Sequence, residues 1–285
     1  MSVSSVLIAG CGDIGGRLAS QLLAEHWQVY GLRRSVSSLP AGVIGVAGDL
    51  FSAQCPAAWP TGPLDYLVYS AAATDHDEAG YRAAYIEGLQ HVLGWLKQHG
   101  QQPKRLLFVS SSSVYGQKAG EWVDETSPTE ANGYSGRLML EAEQLALDSG
   151  IPASRVRLTG IYGPGREWLL SQVRQGYRVV VDPPLYANRI HADDSAGLLA
   201  FLLEADRQGK PLDDCYIGVD DAPAALAEVV GWLREYMGVT EWAEDASVRR
   251  AGSKRCSNAR AKALGWTPRY PSFREGYAAI LEGRC

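Results

Sequence analysis

The chain has 285 residues, of which 46% are apolar and 21% charged, a composition typical of a folded globular protein. Its net charge of −5 gives no reason to expect a nucleic acid or an anionic membrane as partner. The five cysteines are dispersed with no C-x-x-C pair, which predicts reduced thiols, and no stretch has the pattern of a signal peptide or a membrane span. We therefore expect a cytoplasmic protein.

The first 160 residues alternate between strand-like and helix-like patterns. Strands are predicted at 6–9, 28–32, 43–47, 64–70, 105–110 and 154–158, and helices at 81–98 and 134–148. Most of these strands are nearly all apolar, as strands buried on both faces of a sheet are. Alternation of this kind predicts βαβ units with right-handed crossovers. The expected fold class is therefore α/β, a Rossmann-type doubly wound parallel sheet.

Beyond residue 160 the alternation weakens. Gly163-Pro164-Gly165 and Asp182-Pro183-Pro184 interrupt the chain, a helix is predicted at 193–204, and a strand at 215–219 is expected to return to the sheet. From about Pro223 the pattern is mainly helical, with one strand candidate near Val248. We expect residues 1–160, completed by about 191–220, to form the dinucleotide-binding core. Residues 161–190 and 221–285 are expected to form a small C-terminal substrate lobe that covers the carboxyl ends of the strands.

A glycine motif separates the first strand from the first helix. Gly10-x-Gly12-x-x-Gly15 has the spacing of a dinucleotide-binding turn. In such a turn the first glycine permits the tight bend, the second allows a pyrophosphate to approach, and the third allows close helix–strand packing. We expect Gly10, Gly12, Asp13, Ile14 and Gly15 to bind a dinucleotide at the positive end of the helix. A plain turn between strand and helix is the alternative.

Two arginines follow the second strand. Arg33 stands where an NAD-specific site needs an acidic side chain, and Arg34 and Ser35 come directly after it. A carboxylate would repel a 2′-phosphate, whereas guanidinium groups bind phosphate in bidentate fashion. We therefore expect NADP rather than NAD as cofactor. Two solvated surface arginines are the alternative.

Several further motifs follow one another in a characteristic order. They are Gly48-Asp49-Leu50, Ser70-Ala71-Ala72, the run from Ser110 to Gly116, Arg157 with Ile161-Tyr162-Gly163-Pro164-Gly165, Ile190-His191-Ala192-Asp193-Asp194, and Lys254 to Pro268. Together with the glycine turn they resemble the extended short-chain dehydrogenases/reductases, also called the NAD-dependent epimerase/dehydratase family. Ala9 stands at the first glycine of that family's usual G-x-x-G-x-x-G, so the chain resembles an atypical branch.

The resemblance implies more cofactor and substrate contacts. Asp49 matches the family's adenine contact, although a turn residue is the alternative, and Leu50, Ser70, Ala71 and Ala72 fall beside the cofactor. Ser112, Tyr162 and Arg189 are the expected substrate-binding residues, with Arg189 positioned to meet a phosphate.

The resemblance also implies a catalytic tyrosine, a lysine four residues later, and a serine or threonine that polarises a carbonyl. Ser111 matches the last of these, with a strand-end cap as the alternative. Tyr134 matches the tyrosine, but Leu138 stands at the lysine position and Arg137 is one residue earlier. A free phenol is a weak base at neutral pH and needs a neighbouring cation. Arginine supplies the charge without shuttling a proton, so Tyr134 and Arg137 are expected to act as a pair, and a helix start that only packs is the alternative.

A second departure from the family concerns Tyr85, which replaces its usual asparagine. The function expected is hydride transfer to or from a carbonyl or alcohol of a small substrate. A nucleotide-sugar epimerase or dehydratase and a non-catalytic NADP-binding sensor remain as alternatives. The run Asp75-His76-Asp77-Glu78 is expected to be a solvated loop and helix cap, so no metal site is expected. Family resemblance further implies a homodimer through the 81–98 and 134–148 helices.

Overall fold

The protein is known from a computed structural model, which describes residues 3–243 and 253–285. Its central feature is a seven-stranded parallel sheet, in the order β7-β6-β5-β4-β1-β2-β3. The strands are β1 (Ser5–Ala9), β2 (Gln28–Arg33), β3 (Ile44–Ala47), β4 (Tyr66–Tyr69), β5 (Arg105–Ser111), β6 (Ala153–Leu158) and β7 (Cys215–Gly218). This confirms the predicted doubly wound α/β fold, including the return of the 215–219 segment to the sheet edge.

The middle of the sheet is formed by its most apolar strands. Val6 of β1 pairs with Val29 of β2 on one side and with Tyr66 of β4 on the other. Every residue of β1 and β4 is buried, which explains their near-continuous apolar sequence. Because all seven strands run in parallel, the loops at their carboxyl ends gather at one edge, where ligands of this fold bind.

The helices follow the sequence pattern with one interruption. They are α1 (Asp13–Ala24), α2 (Glu78–Arg82), α3 (Gly88–Gln98), α4 (Tyr134–Leu147), α5 (Trp168–Arg174), α6 (Ala192–Arg207), α7 (Leu226–Met237), α8 (Ala259–Leu264) and α9 (Phe273–Leu281). Instead of one helix at 81–98, α2 and α3 are separated by a π-helical turn at Ala83–Glu87. The Tyr69 hydroxyl donates to the Ala84 carbonyl in this turn at 2.5 Å, so a carbonyl of the widened turn is satisfied from β4.

The described residues fall into two compact units. The first comprises 3–114, 131–157 and 196–216, and the second 115–130, 158–195, 217–243 and 253–285. The placement of 115–130 with the second unit had no sequence signal. Three short strand pairs lie in the second unit: Gly160–Tyr162 with Arg189–His191, Tyr186–Ala187 with Ala224–Ala225, and Glu121–Val123 with Lys254–Cys256. Its core includes Leu170, Val173, Val229, Leu233 and Phe273.

The strand candidate near Val248 lies outside the described residues. Among the residues that are described, no helix has the length and apolar character needed to cross a membrane.

Candidate functional site

The glycine turn follows β1 and leads directly into α1. Gly10 has a φ of +85°, in the left-handed region that favours glycine. A Cβ on Gly10 would lie 2.5 Å from the Ala71 nitrogen and 2.8 Å from the Ser70 carbonyl carbon. The amides of Gly10 and Cys11 donate to the Leu32 carbonyl at 3.1 and 3.0 Å. The turn is therefore fixed to β2 and packs directly against the loop after β4.

Gly15 and Gly12 have different surroundings. A Cβ on Gly15 would lie 3.0 Å from Ile8 Cγ2, which explains why the helix can pack so closely on the strand. A Cβ on Gly12 would meet, within 4 Å among the described residues, only the Gly10 carbonyl oxygen at 3.9 Å. Gly12 is also the N-cap of α1 and, being glycine, has no side chain with which to cap the helix. Helix N–H groups attract a pyrophosphate, and among the described residues no side chain lies within 4 Å of a Cβ built on Gly12.

The two residues after Gly12 begin α1. The Asp13 carboxylate pairs with Arg17 one turn later at 2.8 Å, so its charge is directed along the helix. Ile14 is nearly buried. The predicted contacts of both residues with a dinucleotide stay a prediction.

Arg33 lies beside the turn at the end of β2. Its Nη1 donates to the Cys11 carbonyl at 3.3 Å, and the side chain is half-buried. Burial raises the pKa of the Cys11 thiol to about 11, an effect that the Arg33 charge partly offsets. The thiol is therefore neutral at pH 7 and does not compete for the Arg33 charge. Arg34 is exposed, so of the two neighbouring guanidinium groups one is held against the turn and the other faces solvent.

The remaining predicted cofactor residues lie after β3 and β4. The Asp49 carboxylate accepts the Phe51 amide at 3.0 Å, which is the turn role that was the alternative for this residue. The adenine contact of Asp49 stays a prediction. Leu50 is buried, and its carbonyl bonds to His91 Nδ1 at 2.8 Å. Ser70 Oγ donates to the Gly10 carbonyl at 3.1 Å, which ties the loop after β4 to the glycine turn.

The loop continues through two small residues. Ala71 is half-buried against Gly10, and Ala72 is exposed. Their predicted contacts with the cofactor stay a prediction. The structure thus brings Ser70, Ala71, Gly10 and Arg33 to one end of the sheet.

Ser111 and Ser112 follow at the end of β5. Ser111 Oγ accepts the Ser113 amide at 3.1 Å, so it caps the strand end. This contact uses one acceptor position of the hydroxyl and leaves its O–H available as a donor. Ser112 begins the 3₁₀ turn Ser112–Val114 and is half-buried.

Tyr134 is the first residue of α4 and is half-buried. Its hydroxyl donates to the His76 carbonyl in the loop between β4 and α2. The ring of Tyr81 meets the Tyr134 ring edge-on, with centroids 5.5 Å apart and planes at 90°. The hydroxyl therefore rests against the same loop that begins at Ser70.

Gly136 brings the start of α4 against the Ser112–Val114 turn. A Cβ on Gly136 would lie 2.5 Å from the Ser113 carbonyl oxygen, so the first turn of the helix packs on the backbone next to Ser111. Arg137 is exposed, and within the described parts of the chain no hydrogen bond or ion pair joins its guanidinium to Tyr134. The predicted pairing of Tyr134 with Arg137 stays a prediction.

Sequence reasoning missed the aromatic surroundings of Tyr134. Tyr81 contacts both Tyr134 and Tyr85, and the ring centroids of Tyr81 and Tyr85 are 5.3 Å apart. Burial raises the pKa of Tyr85, and the Ala73 amide, which bonds to its phenol, partly offsets this. The two tyrosines are four residues apart, a helical spacing that could have indicated a shared face. Nothing in the sequence indicated that this face meets α4.

Two predicted substrate residues lie in the second unit. Arg189 is 5% exposed, and its Nη1 donates to the Ala187 carbonyl at 2.7 Å. Its Nη2 and the Tyr162 hydroxyl are buried with no hydrogen-bond partner among the described residues. A buried guanidinium with unmet donors is costly unless an acceptor is supplied. Arg189 is therefore suited to hold an anionic group.

Asp220 lies near these residues. Burial raises its pKa to about 7, and the Arg189 charge opposes this increase. Burial also raises the pKa of Tyr162, with the nearby Asp220 carboxylate as the next cause. The Tyr162 phenol is therefore neutral at physiological pH, and Asp220 is only partly charged beside Arg189.

Comparison with known proteins gives a consistent result. Residues 6–218 match the model of the NAD dependent epimerase/dehydratase family. A solved structure from Methylobacillus flagellatus, provisionally described as an NAD-dependent epimerase/dehydratase, is 34% identical, with a TM-score of 0.80 and 99% of both chains covered.

Two curated relatives are more distant. Protein YeeZ of Escherichia coli K12 is 28% identical over 219 residues, 75% of this chain and 78% of that protein. The 3-diazoavenalumate denitrifying reductase of a Streptomyces species is 26% identical and covers 95% of this chain and 98% of its own. The second alignment extends over both compact units.

Proposed function

Because the chain belongs to the NAD-dependent epimerase/dehydratase family, we propose that it binds NADP at the glycine turn and catalyses hydride transfer to or from a carbonyl or alcohol of a small substrate. The observation that carries this proposal is Gly12 at the start of α1, where an added Cβ would meet only the Gly10 carbonyl oxygen within 4 Å among the described residues. In the same turn the Cys11 carbonyl accepts the Arg33 guanidinium. Helix N–H groups suit the pyrophosphate, and the cations suit a 2′-phosphate.

The preference for NADP over NAD rests on the end of β2. Arg33 is held at the turn by Cys11, and neither Arg34 nor Ser35 supplies the carboxylate that an NAD site uses for the ribose hydroxyls. A dianionic phosphate would be attracted by both guanidinium charges there, whereas a ribose hydroxyl carries no charge and would only accept a hydrogen bond from them.

The catalytic roles are assigned to three residues of the first unit. When bound, the nicotinamide supplies or accepts the hydride. The Ser111 hydroxyl donates to the substrate carbonyl oxygen. The Tyr134 O–H turns away from the His76 carbonyl that accepts it in the free protein, and donates the proton in reduction or accepts it in oxidation. Arg137 supplies positive charge one turn along α4, which favours the tyrosinate during the reaction. Ser112 lines the substrate side of the same turn.

The experiment is a search for NADPH oxidation across a panel of aldehydes, ketones and quinones. The proposal predicts turnover with part of the panel and a loss of at least about 100-fold in kcat in Tyr134→Phe. The control, Tyr236→Phe, also loses a hydrogen-bonded phenol but lies in the second unit, and should behave as wild type. Tight NADPH binding with no oxidation, unchanged by Tyr134→Phe, would favour the sensor alternative.

A second candidate function is supported by Arg189. Its unmet Nη2 supports a substrate with an anionic group, such as the diphosphate of a nucleotide sugar. UDP should then raise the thermal midpoint of the wild type, and Arg189→Lys should abolish that increase, because lysine keeps the charge but loses the bidentate fork. Arg178→Lys, an exposed arginine of the same unit, is the control. No stabilisation of the wild type by UDP would remove this candidate.

The expected homodimer and cytoplasmic location are also proposals. A four-helix contact built from the segments 81–98 and 134–148 of two copies is supported by the resemblance alone. Sedimentation velocity at micromolar concentration should show a dimer, and a monomer throughout would reject it.

A further inference from the structure

Tyr81, a residue of α2, lies at the centre of a cluster of aromatic rings. Its ring centroid lies 5.5 Å from that of Tyr134, 5.3 Å from that of Tyr85 and 6.5 Å from that of His76. The contact with Tyr134 is perpendicular, the arrangement that aromatic rings prefer. Tyr81 is half-buried, so one side of its ring is committed to these contacts.

The position of Tyr81 is fixed by the start of α2. The Asp77 carboxylate caps the helix by accepting the Gly80 amide at 2.7 Å. A Cβ on Gly80 would lie 2.4 Å from the Asp75 carbonyl oxygen, so the loop folds back tightly on the helix at this point. His76, whose carbonyl accepts the Tyr134 hydroxyl, lies inside this tight segment. Tyr81 and the acceptor for Tyr134 are therefore held by the same local structure.

A second contact fixes α2 against α4. Arg82 donates to both carboxylate oxygens of Glu141, at 3.1 and 3.3 Å. Glu141 lies two helical turns after Tyr134 and so projects from nearly the same face of α4. The neighbouring residues Tyr81 and Arg82 thus contact the same face of α4 at two places. The ring contact and this ion pair between exposed side chains therefore both join α2 to α4.

We propose that Tyr81 is a positioning residue for the reaction assigned to Tyr134. Its ring restricts the Tyr134 side chain to the orientation in which the hydroxyl meets the loop between Ser70 and His76, the loop that borders the glycine turn. This inference rests on the proposed function for its catalytic consequence, and on the ring contacts for its structural part.

The chemistry of Tyr81 is suited to positioning and not to proton transfer. Burial raises the pKa of the Tyr81 phenol, and the nearby Tyr134 raises it further. Tyr81 is therefore neutral across the physiological range and adds no charge beside Tyr134. The perpendicular ring contact, not the hydroxyl, is the feature that matters. Phenylalanine should therefore replace Tyr81, whereas a side chain without a ring should not.

The experiment compares Tyr81→Phe with Tyr81→Leu. Tyr81→Phe should keep kcat within about twofold of wild type, and Tyr81→Leu should lower kcat about tenfold, because a misplaced catalytic group loses rate steeply. The dissociation constant for NADPH should stay within about twofold in both, since the glycine turn is not altered. In a Tyr134→Phe background, Tyr81→Leu should cause no further loss in kcat.

The control is Tyr236→Leu, which also removes a partly exposed tyrosine ring that stacks on a neighbour, here Trp232 at 4.8 Å. It should leave kcat and NADPH binding unchanged. Equal losses in kcat and NADPH affinity in Tyr81→Leu, or the same loss in Tyr81→Phe, would assign Tyr81 a merely structural role and overturn the proposal. So would a further loss in the Tyr134→Phe background.

A spectroscopic measurement separates this inference from the proposed function. In protein labelled with ¹³C at the tyrosine ζ-carbon, the Tyr134 signal is identified by its absence in Tyr134→Phe. Tyr81→Leu should shift or broaden that signal, and Tyr81→Phe should leave its linewidth unchanged. An unaltered Tyr134 signal in Tyr81→Leu would refute the positioning role, even in a protein that oxidises NADPH. A shifted signal in a protein without turnover would leave the positioning intact and refute the proposed function instead.

Discussion

Replacing Arg33 with glutamine should remove most of the preference for NADP over NAD. The guanidinium is half-buried and held 3.3 Å from the Cys11 carbonyl oxygen, so it is ordered before the ligand arrives. A hydrogen bond to a charged group contributes about 1.5–3 kcal/mol, and partial exposure to solvent reduces this contribution. We expect a loss of about 1.4–2 kcal/mol, which corresponds to a roughly 10- to 30-fold weaker dissociation constant for NADPH.

NADH lacks the 2′-phosphate and should therefore bind to Arg33→Gln within about twofold of its wild-type affinity. Titration of nicotinamide fluorescence at low ionic strength measures both constants, and added salt should narrow the difference between wild type and variant. Arg33→Lys should give an intermediate loss, because the charge remains but the planar fork is absent.

Arg178→Gln serves as the control, since it removes an exposed arginine from the second unit. An equal weakening of NADPH and NADH in Arg33→Gln would show that Arg33 supports the turn and does not select the cofactor. No change in either constant would exclude Arg33 from the site altogether.

Other substitutions test the fold around the site. Gly10→Ala should lower the free energy of unfolding in urea by about 3 kcal/mol or more, because Gly10 has a φ of +85° and a Cβ there would lie 2.5 Å from the Ala71 nitrogen. Gly12→Ala should lower the free energy of unfolding by less than about 1 kcal/mol and weaken NADPH binding at least tenfold. Normal NADPH binding by Gly12→Ala would refute the pyrophosphate site. Burial raises the Asp220 pKa to about 7, so the folded state binds more protons than the unfolded state between about pH 4 and 7. The free energy of unfolding should therefore fall as the pH rises through this range. Asp220→Asn should reduce the difference between the free energies of unfolding measured in urea at pH 5 and pH 8. Glu143→Gln should lower the unfolding free energy by about 3–5 kcal/mol, because Arg157 loses the buried carboxylate 2.7 Å from its Nη2, and a change below about 1 kcal/mol would contradict that ion pair.

The part of the site that the sequence predicts well is local. Gly10 has a φ of +85°, and a Cβ on Gly15 would lie 3.0 Å from Ile8, so the spacing of these glycines reflects the geometry of one strand–turn–helix segment. The parallel sheet was similarly predictable, because strands buried on both faces carry continuous apolar runs that are visible without tertiary information.

The contacts that could not be predicted join segments far apart in the chain. The Tyr134 hydroxyl meets His76, and Tyr81 meets Tyr134, only because α2 packs on α4. The composition of Ala83–Glu87 does not predict a π-helical turn. A carbonyl of this turn accepts the Tyr69 hydroxyl from β4, a contact between segments that periodicity does not describe. Sequence periodicity describes one helix or strand at a time and does not predict contacts between distant segments.

Asp49 shows the same limit in another form. Its carboxylate accepts the Phe51 amide, a role that any aspartate after a strand can have. The position in the motif therefore matches the family without establishing the contact with adenine. Residues 115–130 are mainly polar, which is typical of a loop, but this composition does not indicate that they lie with the second unit.

The most direct test of the central claim is a crystal structure of the protein with NADPH bound. The pyrophosphate should lie at Gly12 and the start of α1, the 2′-phosphate should contact Arg33, and the nicotinamide should lie within reach of the Tyr134 and Ser111 hydroxyls. A dinucleotide bound away from the glycine turn would contradict the assignment of the cofactor site. A nicotinamide that neither hydroxyl reaches would contradict the assigned chemistry.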